Sequence, residues 1–239
     1  MYLTGFTGRG VRVAIVDSGV HALHPHVAGV EQGVGIRDDG TIDRDFVDRL
    51  GHGTAVAAAI REKAPDAAII AVKIFRDTLA TDARSLVRGL DEACARGAHV
   101  INLSLGTSNP AHRALLESAV RRAVDNHAIV VAASEDAGVA WLPGCLDDVV
   151  GVRLDWTCER DAYRLTSNNG RVEVVASGYP RDIPNVPRER NLKGTSFAVA
   201  NASGFVVRAV EACGAVHGAR ASAVLDVLER GLQKPVGST

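Results

Sequence analysis

Three residues of this chain have the side chains needed to break an acyl bond: Asp17 in VDSG, His52 in GHGT and Ser196 in GTS. A hydroxyl can attack a carbonyl carbon once a base takes its proton, and a carboxylate can orient that base. Each segment alone has a plainer reading. VDSG reads as a turn at a strand end, His beside Gly as a helix start, and GTS as an N-cap. Together, in the order acid, imidazole, hydroxyl and each beside small residues, they point to nucleophilic acyl transfer.

Strands and helices must alternate to bring such distant positions together. Arg12–Val16 is a short β-branched run that stops at Asp-Ser-Gly. Residues 67–74, 100–105 and 128–133 are similar apolar runs, as in strands covered on both faces. Between them, 83–96 carries Leu86, Leu90 and Ala93 on one stripe and ends at Gly97, and 111–126 carries Leu115, Ala119 and Ala123. Further strands are expected at 149–154, 163–166 and 172–176, with an antiparallel pair among them. Two closing helices are expected at 196–211 and 220–230. The pattern is α/β, a mostly parallel central sheet with helices on both faces. Asp17 then falls at the carboxyl edge of the sheet, where ligands bind. Ser196 opens a helix, whose N-terminal N–H groups favour developing negative charge. His52 opens an alanine-rich helix (Ala55, Ala57, Ala58, Ala59) that can pack close to the sheet.

Composition narrows the classes. At 239 residues and 46% hydrophobic content the chain can form one large core, read as a single domain over 1–239. A net charge of −1 gives no electrostatic case for nucleic acid or an anionic membrane. No apolar run reaches membrane-spanning length, and MYLTGFTGRG lacks the pattern of a signal peptide. The expectation is a cytoplasmic protein with no signal peptide and no propeptide. Cys94, Cys145, Cys158 and Cys213 show no metal-like spacing, with Cys145 and Cys158 near enough to pair in an oxidising compartment. His21, His24 and His26 have a spacing compatible with ligation but read as a solvated loop. The 180–190 segment reads as a surface loop approaching the nucleophile. No cofactor or metal is expected.

Beyond the three motifs, GVRVAIVDSGVHALHP, APDAAIIAVKIF, INLSLG (Ile101–Gly106), VVAAS (Val130–Ser134) and GTSFAVA (Gly194–Ala200) occur in order. In these the chain resembles the subtilisin-like serine proteases, the subtilase family, from about Gly8 to about Val210. The resemblance implies a three-layer subtilisin-like fold, with Ser196 as nucleophile, His52 as general base then acid, and Asp17 as orienter. It further implies that Ser104, Leu105 and Gly106 form a strand to which an extended peptide adds, and that Ala133 and Ser134 floor the specificity pocket.

Several departures from the family pattern stand out. The family has Gly-Asn after VVAA, the Asn amide donating to the oxyanion. Ser134-Glu135-Asp136 follows here, which, read without a gap, puts Glu135 at that position. A carboxylate there would repel the oxyanion, and a protonated one would donate to it. Ala200 and Asn201 replace the usual Pro-His, and Ala55 replaces a second histidine. The link from Ile60 to Ala64 is too short for the calcium-binding loop of secreted relatives. A weaker site around Asp38, Asp39, Asp43 and Asp45 competes with a solvated acidic loop. The expected activity is a serine endopeptidase acting on a peptide or extended protein segment. A dedicated role such as leader-peptide removal would add biosynthetic partner proteins. The alternatives are a subtilase fold kept to bind a peptide or partner protein, with its oxyanion site disabled, and an esterase.

Overall fold

The computed structural model describes residues 3–168, 170–214, 218 and 220–233. Nine strands make the main sheet: β1 (Arg12–Asp17), β2 (Gln32–Ile36), β3 (Ile42–Asp43), β4 (Ala68–Lys73), β5 (Val100–Leu103), β6 (Ile129–Ala133), β9 (Val149–Leu154), β10 (Tyr163–Asn168) and β11 (Arg171–Ala176). Their order is β10-β11-β9-β6-β5-β1-β4-β2-β3. All pairings are parallel except β10 with β11 and β2 with β3. The two-residue strands β7 (Glu135–Asp136) and β8 (Val139–Ala140) form a separate hairpin.

The helices are α1 (His52–Lys63), α2 (Ala83–Ala95), α3 (Arg113–Asp125), α4 (Thr195–Ala212) and α5 (Ala221–Gln233). Side chains alternate across a strand, so β1 feeds two cores. Val13 and Ile15 join the cluster with α1, α4 and α5, whereas Ala14 and Val16 join the cluster with α2 and α3. This is the expected three-layer α/β arrangement. The central helix α4 is buried along Phe197–Val210, which explains why its sequence is apolar almost all round.

From β1 the chain builds β2, β3 and then β4 on one side, and later crosses to β5 on the other. The order of strands therefore reverses between β1 and β5, and a crevice opens beyond their carboxyl ends. Asp17 and Ser104 lie there.

Most expected elements fall within a residue or two of the observed ones. The β2–β3 edge escapes the apolar pattern because it is short and glycine-containing. At Gly33 the Phe46 ring fills the space, since a Cβ would stand 2.1 Å from its Cδ1. All four cysteines are free thiols, so Cys145 and Cys158 are not paired. Burial raises the Cys94 thiol to about 11. Among the described residues, no helix is long and apolar enough to cross a membrane.

Candidate active site

Asp17 ends β1 fully buried, with its Oδ1 accepting the Ser18 amide at 2.7 Å. His52 is the first residue of α1. Its Nδ1 lies 2.8 Å from Asp17 Oδ1 and 3.0 Å from Oδ2. Two glycines make that approach possible. A Cβ on Gly53 would sit 2.1 Å from the Gly19 carbonyl oxygen, and a Cβ on Gly19 would meet the Phe46 carbonyl oxygen at 2.3 Å. Gly19 also has φ +96, a region that favours glycine. The close packing expected at the start of the histidine helix is thus a backbone-to-backbone contact.

A residue the motif reading did not single out holds the start of α1 in place. Asp48 is buried, and its Oδ1 accepts from Ser18 Oγ, the Leu50 amide and the Gly51 amide, each at 2.9 Å. Its Oδ2 accepts from the Thr54 amide at 2.8 Å and Thr54 Oγ1 at 2.7 Å. Ser18 Oγ in turn accepts the Gly53 amide at 2.9 Å. Burial works most strongly against the Asp48 charge, but bonds from Thr54, Gly51 and Ser18 outweigh it and hold the carboxyl below its usual range. An acid four residues before His52, at a helix start, was the available signal.

For His52, burial opposes the imidazolium. The Asp17 hydrogen bond and the charges of Asp17 and Asp48 outweigh burial, so its pKa stands above the ordinary 6.5. With Nδ1 engaged by Asp17, Nε2 is the nitrogen left for a hydroxyl.

Ser196 lies in the first turn of α4, where helix N–H groups have no intrahelical partner. Its Oγ donates to the Ser104 carbonyl at 3.1 Å, and its carbonyl accepts from Ser104 Oγ at 3.1 Å. Asn102 Nδ2 donates to Ser104 Oγ at 2.9 Å, and Ser203 Oγ donates to Asn102 Oδ1 at 3.0 Å. This buried chain ties the end of β5 to α4. The Phe197 ring packs with its centroid 5.4 Å from that of His52, so the first turn of α4, which carries Ser196, and the start of α1 share one corner. Asn201, in place of the family histidine, donates to the Ser177 and Tyr179 carbonyls at 2.9 Å each and fixes the preceding loop against α4.

Ser104, Leu105, Gly106 and Ala133 line a cavity of about 220 Å³ together with Ser196. Ser134 does not join them. It is buried, with its Oγ donating to the Val152 carbonyl at 3.3 Å. The expectation for Glu135 also needs correction. Its carboxylate pairs with Arg153 at 2.7 Å and accepts the Gly138 amide at 3.1 Å. Neighbours in a strand face opposite ways, and it is Asp136 that lines the cavity beside Ser196, with Trp141 as a further wall. One residue of register separates the two readings.

The motif matches, the fold and the Asp17–His52 geometry agree with a comparison of the whole sequence. A model described as the Subtilase family matches residues 8–226. The chain belongs to that family.

Among curated subtilases, the chain is 30% identical over 218 residues to "Intracellular serine protease" of Paenibacillus polymyxa, covering 82% of this chain and 65% of that protein. It is 31% identical over 215 residues to "Subtilisin Savinase" of Lederbergia lenta, covering 82% and 72%. The first relatives are longer: the chain spans 65%, 51% and 53% of three of them. Two solved structures share the fold. "Crystal structure of a cold adapted subtilisin-like serine proteinase" has TM-score 0.69 at 20% identity, covering 94% of this chain and 81% of that one. "Crystal Structure of a Lanthipeptide Protease" has TM-score 0.68 at 23% identity, covering 95% and 81%.

Other residues singled out in the sequence lie outside the Ser196 cavity. His21, His24 and His26 line a cavity of about 470 Å³ with Arg49, Gly51, Arg181 and Ile183. Pro180, Arg181 and Ile183 of the 180–190 loop line this cavity, whose lining includes neither His52 nor Ser196. Among the described residues, no group of three or more His, Cys, Asp or Glu could hold a metal ion. Asp43 pairs with Arg37 and Arg76, and Asp45 with Arg49. The hydrogen bond from Arg37 is the main cause that draws the Asp43 carboxyl down to about 2.

Proposed function

We propose that this subtilase is a serine endopeptidase that cleaves extended peptide segments through an acyl-enzyme. The observation that carries the reading is the Asp17–His52 pair, 2.8 Å apart at the sheet's switch point, beside a serine at the start of a buried helix. Ser196 Oγ now donates to the Ser104 carbonyl. On substrate arrival it turns to donate to His52 Nε2, as nucleophile–base bonds often tighten only in the complex. Oγ attacks the scissile carbonyl carbon while His52 takes its proton, and Asp17 stabilises the imidazolium. The Ser196 amide and the N-terminal dipole of α4 receive the oxyanion. His52 then protonates the leaving amine, and water repeats the sequence on the ester.

The Asp136 carboxyl beside Ser196 opposes the developing negative charge when ionised. Absence of one neutral donor at such a site costs on the order of 10²–10³ in rate. The enzyme is accordingly expected to be slow, with the triad and the Ser196 amide retaining activity.

Labelling with a fluorophosphonate probe tests the reading. Labelling that disappears in Ser196→Ala supports it. No labelling across pH 4–9 would instead favour a fold retained for peptide binding. We further propose an intracellular setting and a dedicated substrate, such as a leader segment of one precursor peptide. Similarity to a protein named as an intracellular serine protease supports the setting. Equal cleavage of casein and of unrelated peptides would remove the dedicated substrate.

A further inference from the structure

The cavity of about 220 Å³ that shares Ser196 is walled by Leu105, Ala133, Val199 and Trp141, with Asp136 as the one charged side chain among its lining residues. Arg153, which lines a neighbouring hollow with Asp136, is already engaged by Glu135 at 2.7 Å and by Glu173 at 3.8 Å. Among the described residues, the Asp136 carboxylate has no hydrogen-bond or ion-pair partner, its backbone alone being paired in the β7–β8 hairpin. An exposed carboxylate at the edge of a mainly apolar wall, with the neighbouring Arg153 charge already shared by two other acids, is complementary to a cation delivered on an apolar stem. The indole of Trp141 adds a second surface that attracts a cation.

The position of the cavity says which substrate residue would bring that cation. Ser196 attacks a carbonyl carbon, and the side chain on the acyl side of that carbon branches one atom away. The hollow sharing a wall with Ser196 is therefore the one that side chain enters. We infer that Asp136 makes this site select a lysine or arginine immediately before the cleaved bond. Leu105, Val199 and Ala133 receive the methylene stem and Asp136 receives the charged head, in the manner of long basic side chains that lie along apolar surface. The inference rests on the endopeptidase reading and names its substrate class.

Fluorogenic peptides differing only in the residue before the cut, arginine or its neutral isostere citrulline, test this on the full chain. A charge-assisted bond to a carboxylate predicts kcat/KM for arginine over citrulline of roughly 10- to 100-fold. In Asp136→Asn that ratio should collapse to within about threefold. The ratio separates this role from the effect of Asp136 on the oxyanion, which would change both substrates alike. A wild-type preference for leucine or phenylalanine, or a ratio unchanged in Asp136→Asn, overturns the proposal. Binding of the two cleavage-product peptides, ending in arginine or citrulline, to Ser196→Ala provides a readout free of turnover. Tighter binding of the arginine product, lost on adding Asp136→Asn, supports the inference even if hydrolysis fails, and equal binding overturns it.

Discussion

The two walls of the crevice are built differently. On the histidine side, Asp17, Ser18, Asp48, Thr54 and the paired glycines Gly19 and Gly53 form a closed set of short hydrogen bonds and backbone contacts. On the acyl side, Ala133 and Val199 supply small apolar surface, and Asp136 projects from a two-residue hairpin strand with an exposed side chain. The first wall has one workable arrangement because each polar atom answers another. The second can change residue by residue without loss of the fold. On the proposed endopeptidase reading, the rigid wall holds the base, the adjustable one sets selectivity, and Ser196 stands at the edge of the second.

Substitutions at Ser196 and in the rigid wall should therefore be far more costly than those elsewhere on the acyl side. Ser196→Ala is expected to remove kcat by a factor on the order of 10⁶, the loss typical when a triad serine is deleted, read with the best peptide substrate. Gly53→Ala comes next. Its Cβ must displace the Gly19 carbonyl and with it the Asp17–His52 register. A misplacement near 1 Å costs on the order of 10²-fold in kcat, and overpacking about 1–3 kcal/mol of stability. An unchanged kcat together with an unchanged melting temperature would show that the backbone contact is not what sets the pair.

Asp48→Asn should cost about 1–2 kcal/mol, comparable to losing a helix cap, with a pH signature. The folded-state pKa of Asp48 is depressed, so its stabilisation is present above the ordinary carboxylate value and is lost as pH falls through the folded one. The gap in melting temperature between wild type and Asp48→Asn should shrink from pH 7 toward pH 3. The same substitution removes one of the charges that raise His52. In the wild type, kcat/KM should climb with pH through a limb centred above 6.5, because the base acts only when neutral, and Asp48→Asn should move that limb downward. Smallest of all is Glu135→Gln. Its pair with Arg153 is partly exposed, and such pairs contribute 0–1 kcal/mol. Hydrolysis should change by less than about threefold, against the shift in selectivity expected at Asp136.

The same contrast explains what could be read from residues alone. The Asp17–His52 contact and the place of Ser196 at a helix start are legible because each motif carries its small neighbours, and those neighbours are needed wherever backbones must touch. The alternation of apolar strands and striped helices located β1, β4, β5, β6, α2 and α3, since period is set by geometry and survives drift in residue identity. The adjustable wall has no such constraint. Glu135 and Asp136 are adjacent acids, and only the strand's direction decides which faces Ser196. Ser134 was misplaced for the same reason, lying one position from Ala133 and facing Val152. Asp48 belongs to the rigid wall but was hidden, because its partners are mostly amides that no motif displays. The β2–β3 edge was hidden by Gly33 and Gly35, whose small size serves Phe46 and Asp45 rather than a periodic pattern.

The nucleophile's helix is threaded through the middle of the protein, buried on all sides and held by β5, α1 and α5. The acid, the imidazole and the hydroxyl sit on three separate elements, β1, α1 and α4, so the relay proposed for them exists only once that rod is seated in the core, and a partly folded chain would have no cutting power.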